Sequence, residues 1–136
     1  MILPERLSYL TSGMFPELLG LRITEAIPER IRGELDVTDK HCTLPGRCHG
    51  GVLMALADTL GAAGTILNLP DGAGTSTIES KTNFFAMASV GQTIYGEATP
   101  LHRGRTTQVW QTRITLAGGK PVALVIQTQI VLIPQG

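Results

Sequence analysis

The chain has 136 residues, of which 43% are hydrophobic and 16% are charged, and this composition predicts one domain with a sizeable core. Eleven Lys and Arg residues balance eleven Asp and Glu residues, so no net field would draw the chain to nucleic acid or anionic lipid. Aromatic residues make up only 4% of the chain, which leaves few rings for base stacking. We therefore expect a single domain over residues 1–136 that binds neither nucleic acid nor a membrane.

The N-terminus lacks the basic stretch and long apolar run of a secretory signal, so we expect a cytoplasmic location. The central apolar stretch is interrupted by Asp58 and is not expected to span a bilayer. Cys42 and Cys48 stand beside His41 and His49, but their spacing does not match that of a structural zinc site. We therefore expect no bound metal.

The first half of the chain predicts a helical segment, two strands and one long helix. Leucines at helical spacing over residues 4–12 predict a short amphipathic helix within an N-terminal helical segment, 1–17. Alternating apolar and polar residues over 21–27 and 31–37 predict two half-buried strands joined by a short turn. The run Gly50–Leu67 is apolar on every face, which is typical of a buried helix.

The second half predicts a series of long strands, over residues 75–85, 92–101, 106–116 and 122–133. In the last of them, Leu124, Ile126 and Ile130 share one face, and Gln127 and Gln129 share the other. This alternation predicts a buried aliphatic face and a wetter glutamine face. Because the strands are not interleaved with helices, we predict an α+β fold in which an antiparallel sheet of five or six strands wraps around one long central helix.

Asp58 breaks the pattern of the predicted helix, because it is the one charged residue between Gly50 and Leu69. Burying an isolated carboxylate is unfavourable unless the group is hydrogen-bonded, paired or protonated. A structural interpretation gives it a hydroxyl partner such as Thr59, or an opening to water at a helix or subunit seam. The favoured interpretation makes it a nucleophile or general base in a cleft, where such groups are tuned for reaction.

Gly50 and Gly51 begin the same predicted helix, where the first N–H groups lack partners within the helix and the helix dipole is positive. Such N–H groups can hold a developing oxyanion, although glycine is also common at ordinary helix starts. Gly50 and Asp58 are eight residues apart, hence about 12 Å along one helix. One reacting carbonyl needs both groups within about 3 Å. We therefore expect an obligate homodimer, in which two antiparallel helices build two shared sites.

Four segments occur in a distinctive order: His49-Gly50-Gly51, then Ala55-Leu56-Ala57-Asp58, then Asn83-Phe84-Phe85, then Pro100-Leu101-His102-Arg103-Gly104-Arg105-Thr106-Thr107-Gln108-Val109-Trp110. Over residues 18–133 the chain resembles hotdog-fold acyl-coenzyme A thioesterases, especially the PaaI-like and 4-hydroxybenzoyl-coenzyme A thioesterase groups. The resemblance implies the hotdog fold for the predicted helix and sheet. It also implies homodimers with continuous sheets around paired helices, and dimers that commonly join into tetramers.

The resemblance also implies roles for particular residues. Asp58 would be the catalytic carboxylate, the Gly50 N–H would polarise the thioester carbonyl, and His49 would support that carbonyl. Substrate-binding roles would fall to Gly51 and to the turn that would contact the coenzyme A nucleotide. The residues of that turn are Arg103, Gly104, Arg105 and Thr106.

The chain departs from its family at two places. Relatives usually carry Gln or Asn where this chain has Thr43, and many carry Ser or Thr one turn after the carboxylate, where it has Gly61 and Ala62. Thr43 is therefore the candidate in place of the amide. Another branch of the family supplies a hydroxyl from the strand after the helix, which here would come from Ser76 or Thr77, and the sequence leaves that choice open.

We therefore expect hydrolysis of an aryl or medium-chain acyl-coenzyme A to the free acid and coenzyme A. The route is either attack by Asp58 or activation of water by it, with no cofactor, because a thiolate is already a good leaving group. Apolar residues near these positions suggest the acyl pocket: Leu53, Met54, Leu60, Phe84 and Phe85. The alternatives are a non-catalytic acyl-coenzyme A sensor, which the missing amide at Thr43 favours, and a hotdog dehydratase or hydratase.

Overall fold

One long helix and eight strands make up most of the protein, and the computed structural model describes residues 1–135. A 3-10 helix, Glu5–Thr11, and a single turn, α1 (Phe15–Leu18), precede the sheet, and the long helix is α2 (Gly50–Leu67). Two further 3-10 turns are Asp39–His41 and Ala117–Gly119. The strands are β1 (Arg22–Ile27), β2 (Arg30–Asp36), β3 (Cys42–Leu44), β4 (Arg47–Cys48), β5 (Gly74–Phe84), β6 (Thr93–Arg103), β7 (Thr107–Thr115) and β8 (Pro121–Leu132).

Six of the strands form one antiparallel sheet in the order β1-β2-β6-β7-β8-β5, and β3 and β4 form a separate small hairpin. The sheet curves around α2, which packs against β2, β5, β6, β7 and β8. The edges of the sheet are therefore β1 and β5. This architecture confirms the predicted α+β class and the six-stranded sheet wrapped around one central helix, which is the hotdog arrangement.

Glycines let the helix and the sheet approach closely. A Cβ atom at Gly64 of α2 would lie 2.5 Å from the ring of Trp110 in β7, and one at Gly96 of β6 would lie 2.6 Å from a methyl of Leu60. A Cβ atom at Gly61 would overlap the side-chain amide of Gln127. Interiors pack without spare volume, so the glycines of α2 make room for large side chains from the sheet.

The helix α2 is long and apolar enough to cross a membrane by length and composition alone, as core helices of this length also are. In the fold it lies in the concave face of the sheet. Its fully or nearly buried residues are Leu53, Leu56, Ala57, Leu60, Gly61, Ala63, Gly64 and Thr65.

The predicted faces of the last strand are wrong. Gln127 and Gln129 are 0% exposed and face the helix, whereas Leu124, Ile126 and Ile130 are half-buried on the outer face. The alternation was identified correctly, but its orientation was reversed. The glutamines lie inside because polar partners await them there, and a hydrogen-bonded amide is tolerated in a core.

Two smaller differences concern the first half of the chain. The N-terminal segment predicted as an amphipathic helix folds as the 3-10 helix Glu5–Thr11, with Leu7 and Leu10 buried. The hairpin β3–β4 was predicted as a loop, because its strands have only three and two residues and show no periodicity.

Candidate active site

Asp58 lies in the middle of α2, half-buried, with one of its carboxylate oxygens held by two donors. The hydroxyl of Thr77 in β5 donates to Oδ1 over 2.6 Å, and the side-chain amide of Gln127 in β8 donates to the same atom over 3.2 Å. Within residues 1–135, Oδ2 receives no hydrogen bond. The two oxygens therefore differ, since Oδ1 is anchored and Oδ2 is available to react.

The hydroxyl considered earlier as a structural partner, that of Thr59, instead donates to the backbone carbonyl of Ala55 over 2.7 Å. Of the two hydroxyls left open by the sequence, the structure brings Thr77 to Asp58 and leaves Ser76 exposed. A bulge in β5, where the register with β8 shifts after Thr77, adjoins this contact. Bulges often redirect side chains beside functional sites.

Gln127 was missed as a site residue because its strand has apolar residues on both faces. Val125 and Val131 share the inner face with the two glutamines, so hydrophobicity alone could not orient the strand. The parity of those two valines was the available signal. A strand that pairs glutamines with valines on one face, beside a helix that buries a carboxylate, favours glutamines that point towards that carboxylate.

Tyr9, from the N-terminal 3-10 helix, is a further residue that the sequence did not single out. Burial raises the pKa of Tyr9 to about 12, and the negative charge of Asp58 contributes to the shift. The phenol therefore stays neutral at physiological pH, close enough to register the carboxylate. The N-terminal segment thus belongs to the surroundings of Asp58.

The start of α2 carries the second part of the site. Nδ1 of His49 accepts a hydrogen bond from the Gly51 N–H over 2.7 Å, which caps the helix and leaves the ring proton on Nε2. Glycine suits position 51 because a Cβ atom there would lie 2.8 Å from Nδ1. The Gly50 N–H makes no hydrogen bond within residues 1–135, so it remains available to an oxyanion.

Two clefts flank this helix start. One, of about 440 Å³, is lined by His41, His49 and Gly51 together with α1 residues, and the other, of about 430 Å³, is lined by Gly50, Leu53, Phe84 and neighbours. The suggested acyl pocket is thus correct for Leu53, Phe84 and Phe85 as cleft residues. It is wrong for Leu60, which is fully buried against Gly96.

The remaining candidate residues lie elsewhere in the chain. Arg103, at the end of β6, donates to the side-chain oxygen of Asn68 over 3.3 Å, at the C-terminal end of α2. Arg105 and Thr106 are exposed in the turn that follows, Gly104 is half-buried, and Thr43 is exposed on β3. A helix of 18 residues separates this turn from Gly50, a length of about 27 Å. One chain therefore does not bring these groups to one carbonyl.

Cys42 and Cys48 are free thiols directly opposite each other across β3 and β4. Burial raises the pKa of Cys48 to about 11, and Cys42 adds to the shift. The ring of His41 is occupied, because Nδ1 accepts from the Thr38 N–H over 3.0 Å and Nε2 lies 2.8 Å from the Leu19 carbonyl. Over residues 1–135, no three His, Cys, Asp or Glu side chains are grouped to hold a metal ion.

Comparison with known families assigns the chain. The model of the thioesterase superfamily matches residues 45–123, a span that contains Gly50, Asp58 and Thr77. The chain belongs to the thioesterase superfamily. Its carboxylate, its helix start and its hydroxyl donor from β5 are therefore features of a thioesterase domain, and the chain is an enzyme of the thioester hydrolase class.

Individual relatives agree with the thioesterase assignment. A Mycobacterium tuberculosis protein designated an esterase is 39% identical over 104 residues, 74% of each chain. A Listeria monocytogenes protein named 1,4-dihydroxy-2-naphthoyl-CoA hydrolase is 28% identical over 99 residues, 73% of this chain and 80% of that one. The solved thioesterase HI1161 of Haemophilus influenzae superposes with a TM-score of 0.87 at 28% identity, over 97% of this chain and 92% of that one.

The coupling of Tyr9 to Asp58 predicts an alkaline titration. Followed by tyrosinate absorbance, one tyrosine should ionise near pH 12, and Asp58→Asn should lower that midpoint because a negative charge is removed. Since the fold keeps the phenol neutral above its ordinary value of 10.0, stability should fall between about pH 10 and about pH 12. Tyr9→Phe should abolish the high-pH step, whereas Tyr95→Phe should retain it. A midpoint unmoved by Asp58→Asn would contradict the coupling.

Proposed function

We propose that this thioesterase hydrolyses acyl-coenzyme A esters with aryl or medium-chain acyl groups, using Asp58 as its reacting carboxylate. The observation that carries the proposal is the asymmetry of that carboxylate. Oδ1 is held by Thr77 and Gln127, and Oδ2 is left without a donor from residues 1–135. A fixed carboxylate with one free oxygen is suited to attack a carbonyl or to take a proton from water.

The chemistry balances without a cofactor. In the nucleophilic route, Oδ2 bonds to the carbonyl carbon, the carbon–sulfur bond breaks to release the coenzyme A thiolate, and water then hydrolyses the anhydride. In the general-base route, Asp58 takes a proton from water as the hydroxide attacks, and that proton reaches the departing thiolate. Both routes pass through an oxyanion, which the unpaired Gly50 N–H at the helix start would stabilise.

Coenzyme A is supported as the carrier by the name of the Listeria monocytogenes relative, which acts on an aryl-coenzyme A. The exposed residues Arg103 and Arg105 suit its phosphates, because guanidinium groups bind phosphate through paired donors. The rings of Phe84 and Phe85, 52% and 59% exposed beside Gly50, suit an aryl or aliphatic acyl group.

A dehydratase is less well supported, because it needs a histidine as base. The Nδ1 atom of His49 is already engaged by the helix it caps. A non-catalytic sensor remains the outcome to exclude, since the family amide is replaced by the exposed Thr43.

We propose that each site is shared by two copies of the chain. Gly50 and Asp58 lie in one uninterrupted helix and so are about 12 Å apart. The edge strand β5 pairs only with β8 within this chain and carries the exposed Ile78, so its free edge suits a twin strand. Antiparallel pairing of two β5 strands would set the two α2 helices side by side in opposite directions.

A dimer of dimers and a cytoplasmic location complete the proposal. The half-buried outer-face residues Leu124, Ile126 and Ile130 offer an apolar surface for the second contact. Two opposed free thiols, Cys42 and Cys48, suit a reducing compartment.

The first prediction concerns turnover. Thiol release from a panel of aryl and straight-chain acyl-coenzyme A esters should fall at least about 100-fold in Asp58→Asn, because the amide neither attacks nor accepts a proton. The exposed Asp71→Asn is the matched control and should keep wild-type rates. Equal rates in Asp58→Asn would move the chemistry away from Asp58. Ester binding by the wild type with no turnover on any ester would identify a sensor.

The second prediction tests the shared site through Gly50. Proline removes the N–H at a first helical position that tolerates it, and His49, at φ −65° and ψ 135°, suits a following proline. Gly50→Pro should lose activity, while Gly50→Ala, which keeps the N–H beside the same Phe84 ring, should retain more.

Refolding Gly50→Pro together with Asp58→Asn should then restore activity, because each mixed dimer holds one site with both native groups. At equal amounts, about a quarter of wild-type sites should return. No recovery, in mixed dimers verified by mass, would place both groups in one chain.

The third prediction concerns the nucleotide. Replacing Arg103 and Arg105 by alanine should raise KM for coenzyme A esters about tenfold with little change in kcat, because phosphate contacts are lost. The same acyl group on N-acetylcysteamine lacks phosphates, so its KM should not change. Arg113→Ala, on the exposed outer face of β7, is the matched control. An equal effect on both substrates would contradict a phosphate-binding role.

A further inference from the structure

Two fully buried glutamines in β8 stand between the sheet and Asp58, and one of them is oriented by its neighbours. The Nε2 atom of Gln127 lies 3.2 Å from Oδ1 of Asp58, 2.9 Å from Oε1 of Gln129 and 3.5 Å from the backbone carbonyl of Asp58. All three neighbours are acceptors, so the NH₂ end of the amide faces Asp58. Its two hydrogens go to Asp58 and to Gln129.

The orientation is fixed by a chain of hydrogen bonds that ends on the backbone. The hydroxyl of Thr75 donates to the carbonyl of Ile130 over 2.8 Å, so its oxygen accepts from the NH₂ of Gln129 over 3.1 Å. That turns the carbonyl end of Gln129 towards Gln127, which in turn presents its NH₂ to Asp58. An inverted amide would set oxygen against carboxylate, and each link opposes that inversion.

The helix makes room for this amide at the expense of stability. Gly61, one turn after Asp58, lacks the Cβ atom that would overlap Gln127. The Oε1 atom of Gln127 is buried and has no hydrogen-bond partner within residues 1–135. An orphaned buried oxygen is unfavourable, so a long apolar side chain would suit the fold better at this position. The glutamine is therefore explained by the carboxylate it serves.

We propose that Gln127 is a positioning residue for Asp58: it anchors Oδ1 so that Oδ2 faces the thioester. Thr75 and Gln129 set the direction of its amide. The inference rests on the proposed function for its catalytic meaning, although the hydrogen bond itself can be examined without turnover. Thr77 shares the task, and because Gln127 already donates to Gln129, the single hydroxyl proton of Thr77 is left for Asp58.

Gln127→Met tests the role, because methionine has a similar length and no donor. We expect kcat to fall at least about tenfold with KM unchanged, while the melting temperature stays equal or rises because the orphaned oxygen is gone. Gln108→Met is the matched control, a buried glutamine of β7 that accepts from the Trp110 indole over 3.0 Å. It should lower the melting temperature and leave kcat within about twofold of wild type.

A second pair of variants approaches Gln127 from the helix. Gly61→Ala introduces a Cβ atom against Gln127, and Gly64→Ala introduces one against the ring of Trp110 instead. Both should strain the packing of α2, but only Gly61→Ala should lower kcat beyond its effect on the folded fraction. Equal kcat values per folded protein in the two variants would overturn the proposal, as would wild-type kcat in folded Gln127→Met.

The hydrogen bond is also examined directly by the NMR signals of the Gln127 side-chain NH₂, assigned by their loss in Gln127→Met. Slow exchange with solvent and a clear shift of these signals in Asp58→Asn are expected. Signals unchanged by Asp58→Asn would overturn the inference. If the wild type releases no thiol from any ester, the proposed function fails by that result alone, and the NMR shift still decides whether Gln127 holds Asp58.

Discussion

A carboxylate placed in the middle of an apolar helix must find hydrogen-bond donors, and the surrounding elements of this protein are arranged to provide them. Thr77 reaches Asp58 from β5, beside a bulge, and Gln127 reaches it from β8. Gly61 leaves the space that the amide occupies. Two donors converge on one oxygen, which gives the two carboxylate oxygens different roles and gives the helix its tolerance for a charge.

The second constraint is the length of the same helix. Asp58 and the unpaired N–H of Gly50 are both parts of α2, yet their separation of about 12 Å exceeds the reach of one carbonyl. A dimer across the free edge of β5 resolves this, because two antiparallel helices bring unlike ends together. The distant position of Arg103, by the C-terminal end of α2, fits a nucleotide that crosses from one subunit to the other.

The sequence was sufficient for the fold and for the centre of the site, but not for its partners. The bounds Gly50–Leu67 of α2 and the long strands followed from periodicity, because continuous hydrophobicity and alternation are local signals. Asp58 was found as a charge where none belonged. Its donors were harder to find, since the inner face of β8 mixes Gln127 and Gln129 with valines while the outer face is aliphatic. Short elements such as β3 and β4 depend on tertiary contacts and have no periodic signal.

The central claim is that Oδ2 of Asp58 in one subunit and the Gly50 N–H in the other address the same thioester carbonyl. A crystal structure with a ketone analogue of an aryl-coenzyme A, in which a methylene separates the carbonyl from sulfur, tests it most directly. The account predicts a carbonyl oxygen about 3 Å from the Gly50 nitrogen of one subunit. Its carbonyl carbon should lie about 3–3.5 Å from Oδ2 of Asp58 in the other, or one water molecule away. An analogue bound with its carbonyl remote from Asp58, or held by both groups of a single chain, would contradict the account.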